Sequence, residues 1–129
     1  MAASPTSQNP IGVAIAGLGF GEAVHLPALL SIPELEPVAL WHPREERLDQ
    51  ACSSTGLKGH GSWDALLKDS RVEAVIIATP PGPRYELAMR ALQADKHLLL
   101  EKPVALNAQQ VADLQREAIG RGLSVAVDF

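Results

Sequence analysis

An apolar run that stops in alternating glycines, Ile11-Gly-Val-Ala-Ile-Ala-Gly17-Leu-Gly19-Phe-Gly21, sets the tightest limit on what this chain can fold into. An apolar stretch of that length suits a strand buried on both faces, the condition of a parallel sheet covered by helices. Glycines placed directly after it let the backbone turn sharply and approach a bulky anion with no Cβ in the way. The helix that follows offers unpaired N–H groups and the positive end of its dipole to a diphosphate. Gly17, Gly19, Phe20 and Gly21 are therefore read as a phosphate cradle.

Taken alone, a glycine triplet also suits an ordinary tight turn or another nucleotide fold. Its context narrows the choice, because a second strand, Val38-Ala-Leu-Trp41, closes a strand–helix–strand unit of about 30 residues, the span of a dinucleotide-binding motif. One departure stands out. The third position of the strict G-x-G-x-x-G spacing is Glu22, and the extra glycine falls one place early, at Gly21.

From Ile11 onward strands alternate with helical patterns, which implies a parallel sheet with helices on both faces. Ala23, Leu26, Leu29 and Leu30 recur at helical spacing, with Pro27 either kinking that helix or lying in its first turn. Arg44 to Ala51 reads as a charged second helix, and Ser62 as the N-cap of a short one through Leu67. Val72 to Thr79 is the clearest interior strand. Pro83 introduces a helix from Arg84 to Ala94 with Leu87, Ala88, Ala91 and Leu92 inward. Leu98 to Leu100 is the next strand. Asn107 and Gln110 suggest a capping box for a helix carrying Val111, Leu114 and Ile119, ended by Gly120 and Gly122, with Leu123 to Val127 as the last strand. The glycine-rich segment from Leu57 to Gly61 is the one doubtful strand. The expectation is a doubly wound α/β sheet, a Rossmann domain, in the order 3-2-1-4-5-6.

The chain's 129 residues, 47% hydrophobic and 20% charged, fit one soluble domain spanning residues 11–129 after a disordered leader at 1–10. A net charge of −4 argues against general affinity for nucleic acid or anionic membranes. No apolar run approaches the length of about 18 residues that spans a bilayer. The leader lacks the basic and apolar regions of a signal peptide, and the lone Cys52 has no disulfide partner in the chain, so a cytoplasmic location is expected.

Three segments in order, Gly17-Leu-Gly-Phe-Gly-Glu-Ala-Val-His25-Leu-Pro27, Ala78-Thr79-Pro80-Pro81 and Glu101-Lys102-Pro103, resemble the N-terminal domain of the glucose-fructose oxidoreductase / inositol dehydrogenase family. The resemblance covers essentially everything after residue 10. It implies hydride transfer between a nicotinamide cofactor and a sugar, cyclitol or related small molecule. It implies that Lys102 is catalytic, reaching toward nicotinamide and substrate, and that the Lys102–Pro103 peptide is cis. It places Thr79 and Pro80 beside the nicotinamide ribose, Glu101 among the cofactor-binding residues, and His25 in a packing or hydrogen-bonding role. The family carries Asn and His where this chain has Pro81 and Arg84. It also implies a C-terminal substrate domain, absent here, that normally makes the homo-oligomer interface.

Physical chemistry allows these roles. A lysine at the carboxyl end of a parallel strand projects into the crevice where doubly wound sheets bind ligands, and its ammonium can polarise a hydroxyl or carbonyl. The plain alternative is that Glu101 and Lys102 are a solvated pair and Pro103 breaks the strand. NAD sites place Asp or Glu at the end of the second strand to bind the ribose 2′-hydroxyl. This chain has His42, Pro43 and Arg44 there, which favours NADP over NAD, unless Arg44-Glu-Glu-Arg47 is merely a solvated helix face. No His, Cys, Asp or Glu pair has metal-ligand spacing, and His60 and His97 stand isolated. Two other readings remain: a binding module without chemistry of its own, and a methyltransferase using S-adenosylmethionine. The latter usually has acidic residues before the glycines and after strand two, where this chain has Ala14-Ile-Ala16 and His42.

Overall fold

The computed structural model describes residues 9–128; most of the expected leader, residues 1–8, lies outside the described residues. Six parallel strands form one sheet in the order β3-β2-β1-β4-β5-β6. They are β1 (Ile11–Ala16), β2 (Leu35–Trp41), β3 (Lys58–Gly59), β4 (Ala74–Ile77), β5 (His97–Glu101) and β6 (Val125–Asp128). The helices are α1 (Leu26–Leu30), α2 (Glu45–Thr55), α3 (Trp63–Leu67), α4 (Pro81–Gln93) and α5 (Ala108–Arg121). The order reverses between β1 and β4, whose carboxyl ends therefore flank the crevice in which such sheets hold ligands.

Alternation along β1 builds both faces of the core. Ala14 and Ala16 join Val75, Ile77, Trp63, Leu66, Leu87, Ala88, Ala91 and Leu92 on the face covered by α3 and α4. Val13 and Ile15 join Leu26, Leu29, Leu40, Leu48, Ala51 and Ile76 on the face covered by α1 and α2. Pro37 falls inside β2, where it has no N–H to give the ladder, and the β1–β2 register shifts there: Val13 pairs with Pro37, but Ala14 pairs with Ala39. Trp63, 4% exposed, donates its indole N–H to the Leu87 carbonyl at 3.2 Å and stands edge-on to Trp41 with centroids 5.1 Å apart.

Several boundaries differ from expectation. The doubtful β3 is a real but two-residue strand, pairing with Ala39 and Leu40. Gly59 lies so close under α2 that a Cβ would stand 2.6 Å from the Cys52 sulfur. The second helix runs past Ala51 to Thr55, because the Ser54 and Thr55 hydroxyls donate back to the Ala51 carbonyl and Gly56, at φ +76°, supplies the stop. Only Ala74–Ile77 of the expected Val72–Thr79 strand is extended in the ladder. Helix α4 begins at Pro81 rather than after Pro83, since the chain tolerates proline wherever the helix needs no N–H donor. In α5, Gly120 is helical and Gly122, at φ +67°, ends the helix alone. The cap at Asn107 holds, its Oδ1 accepting from the Gln110 N–H at 2.9 Å, while the Gln110 side chain accepts from Leu106 instead of Asn107. Leu114 faces the core, but Val111 and Ile119 do not; they line an open apolar groove with Leu123, Val125 and Val127 along the β6 edge.

Neither His60 nor His97 is isolated. His97 Nδ1 accepts the Ser124 N–H at 3.0 Å and ties β5 to the start of β6. His60, 8% exposed, bonds Asp69 at 3.0 Å, and Asp69 also accepts from the Arg71 guanidinium and N–H. Those Arg71 bonds are the main reason the Asp69 carboxyl is held well below the usual carboxylate range. A carboxyl depressed on folding stabilises the fold above its unfolded pKa of about 3.9 and loses that contribution as pH falls toward the folded value. Asp69→Asn is accordingly expected to cost about 1–3 kcal/mol at pH 7, with the gap from wild type narrowing below about pH 4. Urea denaturation at pH 7 and pH 3 checks this, and a gap independent of pH would refute it.

Candidate dinucleotide site

The carboxyl ends of β1, β2, β4 and β5 converge, and each carries one of the sequence-derived segments. After β1 the chain turns at Gly17, with φ +90°. A Cβ there would lie 2.7 Å from both the Ala78 carbonyl carbon and the Thr79 nitrogen, so only glycine fits between the first and fourth strands. Gly19 is the opposite case: a Cβ would meet nothing within 4 Å. Its backbone faces open space, as an approach to a diphosphate requires.

The early glycine now has a physical account. A Cβ on Gly21 would stand 2.7 Å from the Ile15 methyl, so Gly21 performs the close helix-to-strand packing that falls to the third glycine of the strict motif. The helix adapts by opening with a π-helical turn, Gly21–His25, in which the Leu26 N–H reaches back to the Gly21 carbonyl. Pro27, with no N–H to donate, then lies in the first turn of α1. Glu22 points elsewhere, toward Arg47 of α2, at 2.5 Å. Arg47 also donates to the Leu18 carbonyl at 2.8 Å and so staples α2 to the glycine loop. The Glu22 charge is thus paired rather than aimed into the cradle.

Phe20 is half exposed at the loop tip, its ring edge-on to His25 at 5.5 Å. His25 is buried, and its Nε2 bonds a Glu101 carboxylate oxygen at 2.7 Å, with Asp128 3.9 Å away. This joins the first helical turn to the ends of β5 and β6, the hydrogen-bonding role expected of His25. Their ligand-type atoms lie within 4.8 Å of one another, a grouping of residues too far apart in sequence for spacing to reveal. Glu101 precedes Lys102, which is exposed at the end of β5, and the Lys102–Pro103 peptide is cis, as the resemblance implied.

At the end of β2, the His42 side chain folds back so that its Nδ1 accepts the Arg44 N–H at 3.0 Å. Partial burial lowers the His42 pKa, the bond with the Arg44 backbone opposes it in part, and the charges of Arg44 and Arg47 push downward again, so the neutral imidazole is favoured. Arg44 is exposed at the N-cap of α2, and with Glu45, Glu46, Arg47 and Gln50 it lines a polar hollow on the surface of that helix. Thr79 is 3% exposed and Pro80 exposed beside it; the buried Thr79 Oγ1 has no hydrogen-bond partner among the described residues.

Sequence reasoning did not single out Arg47 or assign a role to Arg84. Arg84 is 3% exposed, and its guanidinium donates to the backbone carbonyls of Thr79, Glu101 and Pro103, the Glu101 bond at 2.6 Å. The only available signal was its standing where the resembled family has His.

A doubly wound parallel sheet, a glycine loop turning between β1 and β4, and a strand-end lysine beside a cis proline define a dinucleotide-binding Rossmann domain of the oxidoreductase type. The chain belongs to the oxidoreductase family with an NAD-binding Rossmann fold, whose pattern matches residues 11–129. It is 36% identical over 125 residues to an uncharacterized oxidoreductase of Synechocystis sp., an alignment covering 96% of this chain and 34% of that protein. Among solved structures it is similar to a 3-ketoreductase from Actinomadura kijaniata in complex with NADP and TDP-benzene, with a TM-score of 0.87 and 32% identity over 93% of this chain and 37% of that one. It is likewise similar to GenD2 from gentamicin A biosynthesis in complex with NAD, with a TM-score of 0.87 and 27% identity over 93% of this chain and 34% of that one. The chain spans about a third of the length of the curated relatives it matches. Among the described residues, no helix is long and apolar enough to cross a membrane.

Proposed function

We propose that this chain is the NADP(H)-binding part of an oxidoreductase acting on a sugar, cyclitol or related carbonyl compound. The observation that carries the cofactor preference is the end of β2: His42, neutral and turned back onto Arg44, stands where an NAD site needs a carboxylate, and Arg44 and Arg47 flank it. His42 puts no carboxylate at the end of β2 to repel a 2′-phosphate, and the exposed Arg44 guanidinium, which shares its hollow with Glu45 and Glu46, can pair with one.

The open backbone at Gly19 and the buried Thr79 hydroxyl suit a dinucleotide lying across the switch point. Gly17, Gly19, Phe20 and Gly21 hold the diphosphate, and Thr79 and Pro80 flank the nicotinamide side. Glu101, bonded to His25, fixes the strand end from which Lys102 projects. When bound, the nicotinamide supplies or accepts hydride. Lys102 orients the substrate oxygen and donates or receives its proton, the part of the chemistry that belongs to this chain. The sugar-related substrate class is supported by the likeness to the dTDP-3,4-didehydro-2,6-dideoxy-alpha-D-glucose 3-reductase of Streptomyces violaceoruber and the scyllo-inositol 2-dehydrogenase (NADP(+)) of Bacillus subtilis.

Arg44→Ala tests the preference. NADPH binding measured by calorimetry is expected to weaken by about 1.5–3 kcal/mol, the worth of a hydrogen bond to a charged group, while NADH binding changes little. Equal weakening of both would remove Arg44 from cofactor choice. A second reading is a module that binds cofactor without turnover. Oxidation of any polyol by this chain alone would overturn it.

A further inference from the structure

The strongest unexplained polar feature among the described residues is a buried cation with no carboxylate hydrogen-bonded to it there. Arg84 sits in the first turn of α4, 3% exposed, and every hydrogen bond it makes goes to a backbone carbonyl. Two of those carbonyls, Glu101 and Pro103, bracket Lys102 on the turn that ends β5. The third, Thr79, lies on the loop that ends β4. These strands are neighbours in the sheet, so one planar group spans the two loops that frame the crevice on its β4–β5 side. Burial pushes the Arg84 pKa down, which the Glu101 charge partly offsets.

We propose that Arg84 is a positioning residue that fixes the Thr79–Pro80 loop and the Lys102–Pro103 turn relative to each other, and so shapes the seat of the nicotinamide end of the cofactor. This rests on the cofactor reading above. The chemistry demands arginine: a guanidinium presents five N–H donors in a rigid fork, whereas an imidazole has two opposed nitrogens and an ammonium is a point donor on a flexible stem. Neither replacement holds three carbonyls from two loops at once. The structure accordingly assigns to Arg84 the registration of Lys102 with the crevice, through the two carbonyls on either side of it.

The test compares two ligands that share the adenosine, diphosphate and 2′-phosphate groups and differ only in the nicotinamide: NADPH and 2′-phospho-ADP-ribose. In Arg84→Ala, calorimetry is expected to give about tenfold weaker NADPH binding, about the loss of one charge-assisted hydrogen bond, with 2′-phospho-ADP-ribose little changed. Guanidinium ion added to Arg84→Ala is expected to recover NADPH binding, and Arg84→Lys to fall between the two. Hydrogen exchange in the absence of ligand provides an independent readout: amides of the Thr79–Gly82 and Lys102–Ala105 segments are expected to exchange faster in both variants, while those of β1 stay protected. Parallel loss of both ligands without rescue, or unchanged exchange in the two segments, would overturn the proposal. If the wild-type chain bound neither ligand, the cofactor reading would fall, and exchange in Arg84→Lys would still decide whether Arg84 joins the loops.

Discussion

Gly17→Ala is expected to destabilise the chain by about 2–4 kcal/mol and to abolish dinucleotide binding with it. The substitution meets two separate penalties. At φ +90° an L side chain is strained by about 1–2 kcal/mol, and the new Cβ would lie 2.7 Å from backbone atoms of Ala78 and Thr79, which cannot rotate away as a side chain would. Relief requires β1 and β4 to separate at their carboxyl ends, which is where the cradle is built. For a domain whose total stability is about 5–15 kcal/mol, the shift in denaturation midpoint is large. Gly19→Ala supplies the contrast, since its Cβ would enter empty space: its midpoint is expected to stay near wild type while affinity for NADPH falls. Urea denaturation and calorimetry on the two variants separate the roles. A Gly17→Ala chain as stable as Gly19→Ala would contradict the close β1–β4 approach on which the site depends.

Lys102→Met is expected to leave the fold and NADPH affinity nearly intact while lowering the hydride-transfer rate about 10²–10⁴-fold, the range for a positioned general acid or base. Methionine keeps much of the apolar stem and removes the ammonium. Lys102 is exposed among the described residues, so its loss empties no core site. The measurement is kcat, followed by NADPH absorbance with keto-sugar and polyol substrates, in a form of the protein that turns over. A kcat within a few-fold of wild type would exclude Lys102 from the chemistry and leave the strand-end lysine a solvated residue.

The elements legible in the sequence were those whose signals are local. The β1 run, the glycines after it and the Ser62 and Asn107 caps all write their structure within a few residues, and the sheet order follows from the right-handed crossovers of a strand–helix alternation. The short β3 was hidden because its glycine exists to admit Cys52 and Leu48 of α2, a packing demand that resembles a turn signal. Side-chain partnerships were not legible for a different reason. His25 meets Glu101 from 76 residues away, and Arg47 meets Glu22 from 25, distances at which no periodicity survives. The Gly21 shift looked like a damaged motif, and only the contact with Ile15 reveals that the packing function had moved by one residue along with the helical turn.

The edge-on pair of Trp41 and Trp63 carries a last consequence. These are the two tryptophans of the whole chain. One lies in the core against α4 and the other immediately precedes His42, so all indole emission arises from a single contact shared by the folded interior and the carboxyl end of β2. The molecule carries its own optical gauge, mounted where the folded core meets the proposed cofactor crevice.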